Sequence, residues 1–142
     1  MIKNMLSMGK KDLAISKLIL TNASDELDYE VAGYHLQQCV EKLLKYYMEV
    51  NAIEFGFHHN IIRHCDMLDQ NKLYYPLWIK EKASLLNTYE TKTRYNGNLV
   101  VTKTELEAFH VLADELIIFI EEKTTTKTAP TSILSKIIEK RG

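Results

Sequence analysis

Glycine and proline are scarce in this 142-residue chain, and that scarcity limits what it can fold into. The sequence holds five glycines and two prolines, whereas an average chain of this length carries about 17 of the two together. A β-sandwich or β-barrel needs a turn rich in these residues about every 8 to 12 positions. The glycines also lie too far apart for a G-x-G-x-x-G turn or a G-x-x-x-x-G-K-[ST] phosphate loop. The composition therefore excludes a β architecture, a dinucleotide-binding fold and a P-loop enzyme.

Apolar residues recur at helical spacing along most of the chain, which predicts an all-α, up-and-down bundle of four to five helices with a short C-terminal tail helix. We expect Asp28 to N-cap the second helix, Asn60 to N-cap the third and Thr102-x-x-Glu105 to start the fifth as a capping box. The predicted helices lie near 8–23, 29–51, from 61, from Pro76 to about Tyr95, and from about 103 through Ile120.

The predicted domain is a helical bundle over 1–123, followed by a linker over 124–132 and a short amphipathic basic tail over 133–142. The net charge is −1, but residues 124–142 carry four basic side chains and one acidic one. A near-neutral chain is an unusual general nucleic-acid binder, so RNA binding is not favoured, although it is not excluded. No run reaches 18 apolar residues. We therefore expect no membrane span and a cytoplasmic location.

The sequence predicts no catalytic residue, metal site or cofactor. Cys39 and Cys65 lie in apolar segments, which favours two buried thiols over a disulfide. His59 and His64 are five residues apart, so their side chains would diverge on a helix instead of converging on a metal ion. His110 follows the core position Phe109 and is expected at the surface or partly packed. No nucleophile–base pair is identifiable.

The densest polar pattern lies on the second helix, where His35, Gln38, Lys42 and Lys45 share one face. This face is opposite the stripe of Leu36, Leu43 and Tyr47. One interpretation is a solvated face on which Glu41 and Lys45 form an ordinary i,i+4 pair. The other is a cationic, hydrogen-bonding surface for a phosphate or a nucleobase.

The stretch AGYHLQQCVEKLLK at 32–45, followed by His59-Asn60-Ile61, resembles the HEPN family (higher eukaryote and prokaryote nucleotide-binding domains). Members show an aromatic-His-x-x-Gln-x-x-Glu-Lys-x-x-Lys helix and then His-Asp-Leu at the start of the next helix. Asn60 replaces the aspartate here, and Thr93-Arg94-Tyr95 resembles the Arg-Tyr-Pro of a later helix with Asn96 for the proline. The resemblance covers about residues 8–122. The matching residues are Tyr34, His35, Gln38, Glu41, Lys42, Lys45 and His59.

This resemblance implies a helical bundle, usually a homodimer. It also implies a minimal nucleotidyltransferase partner in a toxin–antitoxin-like pair. One branch of the family consists of metal-independent ribonucleases with an Arg-x(4–6)-His motif. No histidine follows Arg63, Arg94 or Arg141 at that spacing, so the ribonuclease motif is not found.

Three hypotheses follow. The first is a non-catalytic HEPN domain that binds a nucleotide or a nucleotidyltransferase, through His35, Gln38, Lys42, Lys45, His59 and Arg94. The second is a divergent ribonuclease that uses His59 or His35 with Arg94. The third is a structural dimerisation module in which Gln38, Glu41 and Lys42 are buried hydrogen-bond partners that fix helix register.

Overall fold

The computed structural model of the chain describes residues 4–56, 59–90 and 100–128, and every regular element in these ranges is an α-helix. The predicted all-α fold is confirmed, and the arrangement is consistent with a helical bundle. None of these helices combines the length and the apolar character that crossing a membrane requires. The helices are α1 (Asn4–Thr21), α2 (Glu26–Val50), α3 (Ile61–Gln70), α4 (Leu77–Thr88) and α5 (Lys103–Thr128).

The central element is α2. Both α1 and α5 pack against it and against each other, while α3 packs against α2 and α4. Every residue of α2 from Asp28 to Met48 is buried or half-buried. Its apolar side chains, including Leu36, Leu43 and Leu44, form the core together with residues of α5 such as Leu116. Because Gln37 and Glu41 lie on the buried part of α2, their polar groups need partners inside the protein.

The N-terminus of α2 differs from the prediction. Asp25 is the N-cap, with extended backbone and a side chain that accepts a hydrogen bond from the Asp28 amide at 3.0 Å. Asp28 lies in the first turn, and its carboxylate accepts from the Ser24 amide at 2.8 Å. The predicted Asp28 cap is therefore wrong. Asp25 caps the helix, and Asp28 in the first turn bonds back to the residue before the cap. The predicted Asn60 cap of α3 is confirmed.

The ends of α4 and α5 also refine the prediction. Thr88 ends α4, and residues 91–99, including the predicted continuation to Tyr95, lie outside the described residues. Thr102 Oγ1 accepts from the Glu105 amide at 3.2 Å, as the capping box predicts. Thr128 ends α5, so the first residues of the predicted 124–132 linker are helical. The rest of that linker and the 133–142 tail lie outside the described residues.

Both cysteines are free and buried, as predicted. Burial raises the pKa of the Cys39 thiol to about 12 and that of Cys65 to about 11. The thiolate is the nucleophilic form of cysteine, so both side chains are unreactive near neutral pH.

Gly9 lets α1 and α2 approach closely. A Cβ atom at this position would lie 3.1 Å from Leu43 Cδ2 and 3.4 Å from the Cys39 carbonyl oxygen. Leu43 is completely buried and has little room to move. The absence of a side chain at Gly9 therefore sets the distance between the two helices.

We predict that Gly9→Val lowers the free energy of unfolding by about 1–3 kcal/mol, because the added methyl groups overpack a fixed interface. Ala14→Val on the exposed face of α1 is the matched control. It changes stability by no more than about 0.7 kcal/mol, the cost of a β-branched residue in a helix. Urea denaturation followed by circular dichroism measures both, and equal effects of the two variants would contradict the close approach at Gly9.

Candidate functional site

Two carboxylates organise the polar face that the sequence singles out on α2. One is Asp12, which comes from α1, and the other is Glu41 on α2 itself. Both residues are buried, with 7% and 2% of their surface exposed. The interpretation of this face as solvated is therefore wrong for Glu41 and Lys45, although the predicted i,i+4 pair between them is present.

The Asp12 carboxylate binds two of the predicted site residues, His35 and Lys42. His35 Nδ1 lies 2.9 Å from one carboxylate oxygen, and Lys42 Nζ lies 2.5 Å from the other. The side chains of His35 and Lys42 are one-quarter and one-fifth exposed. A carboxylate only accepts hydrogen bonds when ionised, so His35 donates through Nδ1. This contact ties α1 to α2 and occupies the polar groups that sequence reasoning assigned to a ligand.

Glu41 receives three donors. Lys45 Nζ lies 2.8 Å and His59 Nδ1 lies 2.6 Å from Oε1, while Gln37 Nε2 donates to Oε2 at 3.0 Å. Gln38 Nε2 donates in turn to Gln37 Oε1 at 2.8 Å. Burial alone would raise the pKa of Glu41, but the hydrogen bonds from Lys45, His59 and Gln37 outweigh it and hold this pKa below its usual value. Glu41 is therefore a buried, ionised carboxylate at neutral pH.

His59 links the buried carboxylate of Glu41 to the protein surface. Its side chain is 62% exposed, whereas the side chain of Glu41 is 3% exposed. Because Nδ1 donates to Glu41, the neutral imidazole has its lone pair on Nε2, the other ring nitrogen. His59 also lines an open cavity of about 330 Å³, together with Asn60, Asn87 and Glu90.

The two asparagines of this cavity are fixed by hydrogen bonds at the start of α3. Asn60 Oδ1 accepts from the amides of Ile62 and Arg63, and from Asn87 Nδ2 at 2.9 Å. Asn87 Oδ1 accepts from the Ile61 amide at 2.9 Å. These contacts determine which end of each amide is oxygen and join the end of α4 to the beginning of α3. The cavity walls are therefore preorganised.

Ser16 and His110 form a separate buried pair between α1 and α5, so the expectation of a surface or partly packed His110 is corrected. Ser16 Oγ lies 2.7 Å from His110 Nε2 and donates to the Ala32 carbonyl oxygen at 2.8 Å. Because the carbonyl can only accept, the hydroxyl proton lies there and His110 Nε2–H donates to Ser16. Burial lowers the pKa of His110. The imidazole is thus not poised as a base for Ser16, and the pair is a structural contact.

The structure divides the predicted site residues among different partners. His35 and Lys42 contact Asp12, Lys45 and His59 contact Glu41, and Gln38 contacts Gln37. Arg94 lies outside the described residues. Sequence reasoning missed Asp12 and Asn87 altogether. The burial of Asp12 could have been predicted, because it shares one helical face of α1 with Leu13, Ser16 and Leu20. No sequence pattern points to Asn87.

Metal-ligating groups do not cluster in the part of the chain that the structure describes: no three His, Cys, Asp or Glu side chains there could hold one metal ion. The site consists instead of hydrogen-bonding groups on helices and their caps. It defines a class of helical domain in which a buried carboxylate positions an exposed histidine beside a polar cavity.

The comparison with known families agrees with the motif on α2. The profile of the HEPN domain family matches residues 2–123, and the chain belongs to this family. No curated protein and no solved structure matches the chain.

We predict that Glu41→Gln lowers the free energy of unfolding by about 3 kcal/mol at pH 7, because it leaves the buried Lys45 ammonium without its counter-charge. The folded-state pKa of Glu41 lies below its unfolded-state value of about 4.3. The stabilisation is therefore complete above the unfolded-state value and is lost as the pH falls through the folded-state one. The difference between wild type and variant should shrink in acid, as measured by urea denaturation from pH 7 to pH 3.

The matched control is Glu121→Gln, which breaks the exposed pair that Glu121 forms with Lys10 at 2.6 Å. An exposed pair contributes at most about 1 kcal/mol. Equal losses for the two variants, or a loss in Glu41→Gln that does not depend on pH, would contradict the assignment of Glu41 as a buried, ionised carboxylate.

Proposed function

We propose that this chain is a non-catalytic HEPN domain that binds a nucleotide, with the base in the cavity beside His59. The observation that carries the proposal is the His59 side chain, which is mostly exposed while its Nδ1 is anchored 2.6 Å from a buried carboxylate. Small-molecule sites are concave, have volumes of about 300–1,000 Å³ and contain a few precisely placed polar groups that orient the ligand. The cavity of about 330 Å³ suits a ligand the size of a nucleoside.

Of the five predicted site residues that the structure describes, we assign ligand contact to His59 and a structural role to the other four. These four side chains form hydrogen bonds inside the protein. His35 and Lys42 contact Asp12, Lys45 contacts Glu41, and Gln38 contacts Gln37. This is the arrangement expected of a module whose buried polar residues fix helix register. The binding and the structural hypotheses therefore apply to different residues of one motif.

A ribonuclease is the second candidate, because a histidine held by a carboxylate resembles a positioned base. Cleavage through the RNA 2′-hydroxyl also needs a group that protonates the leaving oxygen. Of the residues described around the cavity, Asn60 and Asn87 cannot transfer a proton, and Glu90 is the one titratable side chain besides His59. The Arg-x(4–6)-His motif of the ribonuclease branch is not found in the sequence, so binding is favoured over catalysis.

We also propose that the domain forms a homodimer and pairs with a minimal nucleotidyltransferase in a toxin–antitoxin-like system. Membership of the HEPN family supports this proposal. Leu18 on α1 and Val111 and Ile118 on α5 are more than half exposed, and they are apolar side chains that a second protein would cover. The gene neighbourhood tests the pairing: an adjacent small nucleotidyltransferase gene is expected, and an isolated gene would contradict it. A cytoplasmic location stays a prediction.

We predict that His59→Ala weakens nucleotide binding at least about 10-fold, because it removes the one ring that lines the described part of the cavity and a hydrogen-bonding nitrogen. The measurement is isothermal titration calorimetry with the four ribonucleoside monophosphates. His35→Gln is the control, since glutamine keeps a donor for Asp12 and His35 does not line the cavity. Its affinity should stay within about 2-fold of wild type.

Two results would contradict this function. If none of the four nucleotides binds, the proposed nucleotide-binding function is wrong. Cleavage of total RNA by the purified protein, abolished by His59→Ala or Arg94→Ala, would show that the site is catalytic.

A further inference from the structure

Helices α1 and α5 lie side by side, and their outward sides form one exposed surface, which we name the α1–α5 face. The salt bridges Lys10–Glu121 and Lys17–Asp114, at 2.6 and 2.7 Å, join the two helices and show that they run antiparallel. We infer that a second copy of the chain binds this face, with α1 of each copy packed on α5 of the other. The inference rests on the proposed homodimer and names its interface.

A stripe of exposed residues on each helix has the spacing of a seam between packed helices. Where one helix packs along another, contact positions recur about every 3.5 residues, in alternating steps of three and four. The exposed positions Lys11, Ala14 and Leu18 of α1 follow this alternation. So do the exposed positions Val111, Glu115, Ile118 and Glu122 of α5. Both helices therefore present a second contact stripe, on the side that faces away from the core.

Large apolar side chains lie within these stripes. Leu18, Val111 and Ile118 are each more than half exposed. Their burial between two copies would remove apolar surface from water, which is the main favourable contribution to most protein association. Apolar contact is not directional, however, and does not choose between partners. The charges around these residues make that choice.

The charges of the α1–α5 face are divided between its two helices. The exposed ionisable side chains of α1 are all lysines, since Asp12 is buried. Along α5, every ionisable side chain on the outward side from Glu107 to Glu122 is a carboxylic acid. Lys10 and Lys17 neutralise two of these carboxylates within the chain. The face therefore has one basic stripe and one acidic stripe, and it is complementary to itself.

This division selects one of two ways in which two copies can meet face to face. A two-fold axis across the helices would place α1 on α1 and α5 on α5, which brings like charges together. A two-fold axis parallel to the helices places α1 of each copy on α5 of the other, so that lysines face carboxylates. The second arrangement uses both stripes of both copies, and it closes with two chains.

The arrangement predicts a particular contact between the copies. Lys10 and Glu121 are bonded to each other, so they lie at the same height along the two helices. Rotation about an axis parallel to the helices leaves heights unchanged. Lys11 of one copy is therefore level with Glu122 of the other to within about one helical turn. Both side chains are exposed, and the two-fold symmetry forms this contact twice in each dimer.

The test is sedimentation equilibrium of the full chain and of charge-reversed variants. Lys11→Glu and Glu122→Lys should each raise the dissociation constant of the dimer about 10-fold, because each turns two symmetric attractions into repulsions. The double variant Lys11→Glu/Glu122→Lys restores opposite charges across the interface. Its dissociation constant should return to within about 3-fold of the wild-type value.

Lys82→Glu and Glu81→Lys are the matched controls. They change the net charge by the same amounts at exposed positions of α4, away from the α1–α5 face. Both should leave the dissociation constant of the dimer unchanged. Circular dichroism of each variant checks that the helices are retained.

The possible failures are distinguishable. A dimer that the single variants weaken no more than the controls do, or that the double variant does not restore, would overturn the α1–α5 interface and leave the homodimer in place. A chain that sediments as a monomer at every concentration would overturn the homodimer itself. The face would then belong to a different protein or to residues 129–142 of this chain. Neither result would change the assignment of the His59 cavity to a nucleotide.

Discussion

The site depends on the hydrogen bonds that the buried carboxylate of Glu41 accepts. Only 2% of the surface of Glu41 is exposed, and an unpaired charge in such a position would cost several kcal/mol. Three donors compensate for that burial: Lys45 and Gln37 from α2 and His59 from the loop before α3. The contact with His59 brings the beginning of α3 to the centre of α2. The same hydrogen bond that satisfies the charge also orients the imidazole at the surface.

Asp12 plays a parallel part on the other side of α2. It binds His35 and Lys42, and it joins α1 to α2 next to the close approach at Gly9. Polar contacts of this kind are directional, whereas apolar packing tolerates small shifts of one helix along another. The motif residues thus serve two purposes: those on α2 that contact Asp12 or Glu41 fix the bundle, and His59 in the loop before α3 presents a polar group to the cavity.

The sequence predicts the fold well because helix periodicity and caps are local properties. The Asn60 cap is found where predicted, and so is the hydrogen bond from the Glu105 amide to the Thr102 hydroxyl. The predicted Asp28 cap is wrong because Asp25, three residues earlier, takes this role. The site was harder to predict. Spacing indicates that His35 and Lys42 share a face, but not that Asp12 covers it. Asn87 carried no signal, since its role arises only when α4 packs beside the start of α3.

The positioning of His59 by Glu41 depends on one proton: in the neutral imidazole it must lie on Nδ1, facing Glu41. Long-range ¹H–¹⁵N correlation spectra of the labelled protein, recorded about two pH units above the ordinary histidine pKa of about 6.5, report which ring nitrogen carries it. We expect the Nδ1–H form in the wild-type protein. A neutral His59 that carries its proton on Nε2, or that averages rapidly between the two forms, would contradict the claim that a buried carboxylate positions this side chain.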